Sequence, residues 1–307
     1  MSGVAHMIGP QDGRYTLIAL TGYTAFFDAT YQRTPQGGHT VVAGYLSTVE
    51  QWEYWETNWK LVLAEFDVPY FHMNEFLGYR EAFKDRKWRS NSYRARFISQ
   101  LVAVTTEWTE ASFGALLQHA VFDFHNNFYE LEETFNPYAL CGRDCAIRVR
   151  NLVRDELKSE LPISYVFEKG DKGNGMLITG MQSAGLPSPI FKRPRPDSKK
   201  PQLDIDDPPS IPLQACDLAA YEIGRGQIDH KSGKKLRESL WALGQIKNRR
   251  WVEIKESDLM TRIQNAKICL RAAWKYLESP LNCLEPRIFP IAPPSKGKQR
   301  PQRKKET

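Results

Sequence analysis

TAFFDATYQRTPQGGHTVVAGYLS, residues 24–47, holds two apolar runs on either side of a turn-rich break. Residues 24–29 (TAFFDA) and 39–47 (HTVVAGYLS) are dense in aromatic and β-branched side chains, which suit a pleated, half-buried surface. Between them QRTPQGG brings Pro35 and the Gly37–Gly38 pair, residues that bend a chain. Two such runs so closely joined read as an opening antiparallel pair of strands, and TLIAL at 16–20 reads as a further strand before them.

Working outward, the period changes. Trp52, Trp55, Trp59, Val62, Leu63 and Phe66 recur at helical spacing, which predicts an amphipathic helix over 49–66 with its aromatic stripe in the core rather than on a ligand. VPYFHM (68–73) reads as a short strand, 93–108 as a helix and SFGALLQHAVF (112–122) as a strand. Pro137 opens a helix whose Arg143, Arg148, Arg150 and Arg154 are expected on a basic, solvated surface. ISYVF (163–167) reads as a buried strand running into the Gly-rich KGDKGNG, followed by a short helix over 175–184. A Pro- and charge-rich connector over 187–212, with room for one strand, leads to a helix over 211–225, and a last long helix spans 259–277. Strands interleaved with helices mean α/β, and the opening hairpin makes the sheet mixed. One domain is expected over 15–285, with disordered ends at 1–14 and 286–307.

Composition narrows the setting. At 307 residues, 41% hydrophobic and 25% charged, the chain can bury a sizeable core. No run of apolar residues is long enough for a membrane span and no basic-then-apolar start marks a signal peptide, so a cytoplasmic location is expected. Five scattered cysteines form no C-x-x-C pair, which predicts reduced, buried thiols. The net charge of +6 resides wholly in the tail from Pro286, which carries seven Lys/Arg and one Glu. That basic arm is expected either to solubilise the chain or to touch nucleic-acid phosphates.

Three acids stand where apolar residues surround them. Asp28 ends TAFFD, Glu168 ends ISYVFE, and Asp217 interrupts IPLQACDLAAYEIGR (211–225). At about 100° per residue, Gln214, Leu218, Glu222 and Arg225 cluster on one side of that last helix, and Asp217 falls outside this polar group, facing the protein or a cleft in it. A carboxylate so placed needs a cation, a set of donors or a proton, unless it caps a helix start or joins a salt bridge. Acids at strand ends are either turn initiators or site residues. His72 and Glu75 lie near one another in VPYFHMNEF, where a histidine between aromatics is usually a packed one. Asp171, Asp204, Asp206 and Asp207 are expected as solvated loop acids.

Taken in order, FFDAT, HTVVAGYLSTVEQWEYWETNW, VPYFHMNEF, YVFEKG and IPLQACDLAAYEIGR resemble the domain-of-unknown-function family 3800, over residues 24–226. The resemblance implies a ribonuclease-H-like α/β fold: a mixed β-sheet with an antiparallel opening hairpin and flanking helices. The matching positions are Asp28, His72, Glu168 and Asp217. The chain departs from the family in having Ala29, Thr30 and Tyr31 where Glu-Ser-Gly is usual, and Cys216 where Ala is usual. What the resemblance implies is hydrolysis of a phosphodiester with Mg²⁺ or Mn²⁺ held by Asp28, Glu168 and Asp217, with Glu75 able to replace the missing acid after Asp28. His72 would transfer a proton or contact a phosphate, and Lys169, other basic surfaces and the tail would hold the nucleic-acid backbone. The other expectation is a catalytically weak nucleic-acid-binding or accessory protein that keeps the fold. Neither sequence pattern nor resemblance specifies the oligomeric state or DNA against RNA.

Overall fold

The structure, a computed structural model, describes residues 22–34, 37–129, 131, 135–196 and 207–265. The opening pair is present as β1 (Tyr23–Thr34) and β2 (Gly37–Thr48), antiparallel from Tyr23↔Thr48 to Thr34↔Gly37. β3 (Ala111–Gln118) pairs antiparallel with β2, and β4 (Ile163–Glu168) lies parallel to β1. β5 (Ile190–Lys192) runs parallel to β4, and β6 (Asn248–Ile254) runs parallel to β3. The result is a mixed sheet of order β5-β4-β1-β2-β3-β6. Gly44 is required within it, because a Cβ there would lie 1.8 Å from the Phe26 carbonyl oxygen on β1.

Helices cover both faces, and the period-2 alternation of the strands divides the core in two. Phe26, Val41, Ala43, Tyr45 and Val166 face α1 (Val49–Glu65), α3 (Asn91–Trp108) and α7 (Pro212–Lys231). Ala25, Phe27, Val42, Tyr165 and Phe167 face α5 (Pro137–Asn151) and α6 (Asn174–Ser183). The remaining helices are α2 (Met73–Gly78), α4 (His119–Tyr129), α8 (Glu238–Leu243) and α9 (Glu256–Asn265). α1 opens on a capping box between Thr48 and Gln51, and its Trp52, Trp55 and Trp59 are wholly buried. The aromatic stripe is therefore core; Trp52 Nε1 donates to Thr24 O at 2.9 Å and ties α1 to β1.

Several elements differ from the sequence expectation. VPYFHM is not a strand: Phe71 N donates to Gln214 Oε1 at 2.8 Å and Met73 N to Asp217 Oδ2 at 2.7 Å. Side chains of α7 thus take the amides that a neighbouring strand would have bonded, and the chain turns into α2. The strand expected over 112–122 ends at Gln118, opposite His39, and the rest is α4. β6 and α8 were not anticipated, since Arg249 and Arg250 break the apolar pattern of NRRWVEI. Nor is the α5 arginine surface wholly solvated: Arg143 is buried and its Nε donates to Gly180 O at 3.1 Å, while Arg150 Nη1 donates to Ala184 O at 2.8 Å. TLIAL, both termini, and residues 266–277 of the expected last helix lie outside the described residues. Among the described cysteines, Cys141, Cys145 and Cys216 are buried and form no disulfide with one another. Among the described residues no helix is long and apolar enough to cross a membrane.

Candidate functional site: a cavity of converging carboxylates

The alternation that divides the core also places the acids. Asp28 follows Phe26 by two residues and Glu168 follows Val166 by two, so both leave the sheet on the α7 face. β1 and β4 are parallel with Phe26 opposite Val166 and Phe27 opposite Phe167, which brings Asp28 and Glu168 side by side. α7 is laid across that same face, where Cys216 Sγ lies 3.2 Å from the Phe26 carbonyl oxygen. Asp217, the next residue, overhangs the two strand-end acids.

These three carboxylates and His72 line one cavity of about 600 Å³, together with Asp171, Lys169, Asn74 and Tyr221. Burial pushes Asp28 well above the ordinary carboxylate range, and the charge of Glu168, with which it shares a hydrogen bond, pushes it further, as do Asp217 and Asp171. Burial also raises Asp217 to about 6; the Glu168 charge adds to this, while His72 and the Met73 amide oppose it. Asp171 is raised to about 6 by burial and by Glu168, against a hydrogen bond from Tyr31. The cavity therefore gathers carboxyl groups that no cation among the described residues neutralises in full.

Two expectations about these acids are corrected. Gln214 and Glu222 do not form an outward polar stripe on α7: both are buried, Gln214 accepting from Trp59 Nε1 and Phe71 N, and Glu222 paired with Arg237 at 3.2 Å. It is Asp217, partly exposed, that meets the cavity. Asp171 is not a solvated loop acid either. Gly170, at φ +122°, lets the loop after β4 fold back, and that turn delivers Asp171 beside Glu168. Gly170 of KGDKGNG is the sequence signal for it. Asp207 is also held, by Lys192 at 2.6 Å and Lys169 at 3.6 Å; Asp204 and Asp206 lie outside the described residues.

Glu75 does not line the cavity. Its carboxylate bonds Arg195 and accepts from Tyr70 Oη at 2.9 Å, and it lies 3.4 Å from His72 Nδ1. It holds His72 and the 195 loop instead of supplying a replacement acid. Lys169 lines the cavity while reaching to Asp207.

The donor set is all oxygen and strongly acidic, which suits a hard divalent cation such as Mg²⁺ or Mn²⁺. Among the described residues, no group of three or more His, Cys, Asp or Glu side chains is placed so that it could hold a metal ion. The chain matches no protein-family model, no curated protein and no solved structure.

Proposed function

We propose that the protein is a divalent-metal-dependent phosphodiester hydrolase, a nuclease or phosphodiesterase, with a ribonuclease-H-like fold and the resemblance to family 3800 described above. The observation that carries this reading is the convergence of Asp28, Glu168 and Asp217, from two strands and a helix, on one cavity. The mixed sheet with its antiparallel opening hairpin and flanking helices also supports it, being what the resemblance implies.

In this reading Asp28, Glu168 and Asp217 hold Mg²⁺ or Mn²⁺, and Asp171 supplies the further carboxylate that Ala29 cannot. When bound, the metal provides a Lewis acid for the phosphoryl oxygens and lowers the pKa of a water nucleophile. The chain does the rest. Buried Asp28 and half-buried Glu168 stand at strand ends fixed by the sheet, so little reorganisation accompanies reaction. Asp217 is oriented by the Met73 amide at 2.7 Å. His72, whose Nδ1 lies 3.4 Å from the Glu75 carboxylate, lines the cavity and can give a proton to the leaving oxygen.

The test is cleavage of labelled DNA and RNA with Mn²⁺ or Mg²⁺ against a chelator control. Metal-dependent cleavage that Asp217→Asn abolishes is expected. Cleavage undiminished in Asp217→Asn would move the chemistry elsewhere. Ala29 in place of an acid favours a second reading, an accessory nucleic-acid binder; tight binding without cleavage in any metal would establish that one.

A further inference from the structure

β1 outruns its neighbour. β4 ends at Glu168, level with Asp28, whereas β1 continues to Thr34, so residues 29–34 carry β2 on one edge and, among the described residues, no strand on the other. The carboxylate cavity opens on one side of this overhang. A second cavity, of about 540 Å³, opens beside it, and the two share Tyr31, Gly170 and Asp171 in their walls.

The second cavity differs in chemistry. Its walls are mainly ring and aliphatic carbon, from Phe122, Pro137 and Tyr138. Tyr138 is 1% exposed, yet its hydroxyl has no hydrogen-bond partner. Buried hydroxyls are ordinarily satisfied, and one left unpaired in a residue that lines a cavity is a group that a ligand can still take up. At the mouth, Tyr31 is 49% exposed and offers a ring face, while its hydroxyl is fixed by Asp171. Two acids, Asp123 and Asp171, against the single cation Lys172 make the cavity a poor seat for phosphate. A flat, uncharged heteroaromatic ring with hydrogen-bonding edges meets every one of these conditions.

We infer that this cavity binds the base of a nucleotide adjoining the phosphodiester held at Asp28, Glu168 and Asp217, so that the substrate is an unpaired stretch of nucleic acid crossing the β1 overhang at Tyr31. The inference rests on the phosphodiester reading for its substrate class. Tyr31 stacks on the base, and the Tyr138 hydroxyl bonds its edge. A base inside a duplex is stacked on both faces and cannot enter, which restricts the substrate to single strands, ends or loops.

The experiment uses the full chain without divalent ions and the four uncharged nucleosides as probes, with binding followed by saturation-transfer NMR. At least one nucleoside should bind saturably and inorganic phosphate should not displace it. Tyr31→Ala should weaken that binding about tenfold, as loss of one stacking platform does. Tyr138→Phe, which removes only the open hydroxyl, should weaken it about fivefold with an unchanged melting temperature. No binding by any nucleoside up to its solubility, or equal binding by wild type and both variants, overturns the inference. The fate of the hydrolase reading is separate, being decided by Mn²⁺-dependent cleavage of a single-stranded oligonucleotide. Cleavage that is indifferent to an abasic site at every position overturns the base cavity alone. Nucleoside binding with no cleavage in any metal upholds the cavity and overturns the hydrolase.

Discussion

Two groups of acids lie in and around the carboxylate cavity, and they are managed in opposite ways. Glu75 is buried, which alone would raise its pKa, but hydrogen bonds from Arg195 and Tyr70 and the Arg195 charge outweigh burial and hold it below the ordinary value. Asp207 is held low in the same manner by Lys192 and Lys169. Among the described residues no ion pair is made by Asp28, Asp217 or Asp171, and all three are raised, Asp217 against the opposing charges of His72 and Arg195. The difference separates carboxylates that hold the structure together from carboxylates kept short of positive charge. A fold spends stability on the second kind only where something else supplies the charge.

The largest effect expected from breaking that contrast is on chemistry. Asp28→Asn removes the buried charge at the centre of the raised group, and metal-dependent cleavage should fall by about 10²–10³, the range for loss of one preorganised electrostatic group. The same variant should melt higher than wild type in chelator, because a repelling charge is gone. A lower melting temperature would mean that the hydrogen bond Asp28 shares with Glu168 outweighs the cost of burying it. Next in size is a structural loss. Arg195→Met strands Glu75 beside Tyr70, and since Arg195 is partly exposed the cost should be about 2–3 kcal/mol, below that of breaking a fully buried pair. Denaturant unfolding measures it; a loss under about 0.5 kcal/mol would place the pair with ordinary surface bridges.

The sequence disclosed this contrast unevenly, for physical reasons. Asp28, Glu168 and Asp217 were legible because each interrupts an apolar pattern, and a charge inside such a pattern has to be accounted for locally. The α/β mixed sheet was legible for the same reason, through the period-2 run of β1 and β2 and the Trp spacing of α1. Asp171 was hidden because loop acids are usually solvated, and only the backbone turn at Gly170 brings it to Glu168. Glu75 was misread because its partner, Arg195, lies 120 residues away in a connector with no periodic signal. Gln214 and Glu222 were misread because a polar group on a helix is taken as solvent-facing, whereas here each has a buried partner contributed by another segment. VPYFHM was taken for a strand because local pattern cannot say whether an extended segment bonds a sheet or the side chains of a helix.

The smallest effect is also the sharpest test, because the two groups answer pH with opposite signs. Asp217 and Asp171 have folded values of about 6 against an ordinary 3.8, so between those values the native state holds protons that the unfolded chain has released. Stability from these groups is present below about pH 4 and is lost as pH rises through about 6. Glu75 and Asp207 are lowered, so their contribution is present above the ordinary carboxylate values and is lost as pH falls through the folded ones. In chelator the two slopes should leave a stability maximum at about pH 5, with melting falling by roughly 2–5 °C on going to pH 7. Saturating Mn²⁺ binds the deprotonated cluster and should abolish the upper slope, moving the maximum to about pH 7–8 while leaving the acid limb unchanged. Arg195→Met should do the reverse, altering the acid limb and sparing the Mn²⁺ response. Melting curves in chelator and in Mn²⁺ that keep the same optimum would show that the raised acids are not where the cation binds, and the contrast between the two groups would lose its functional meaning.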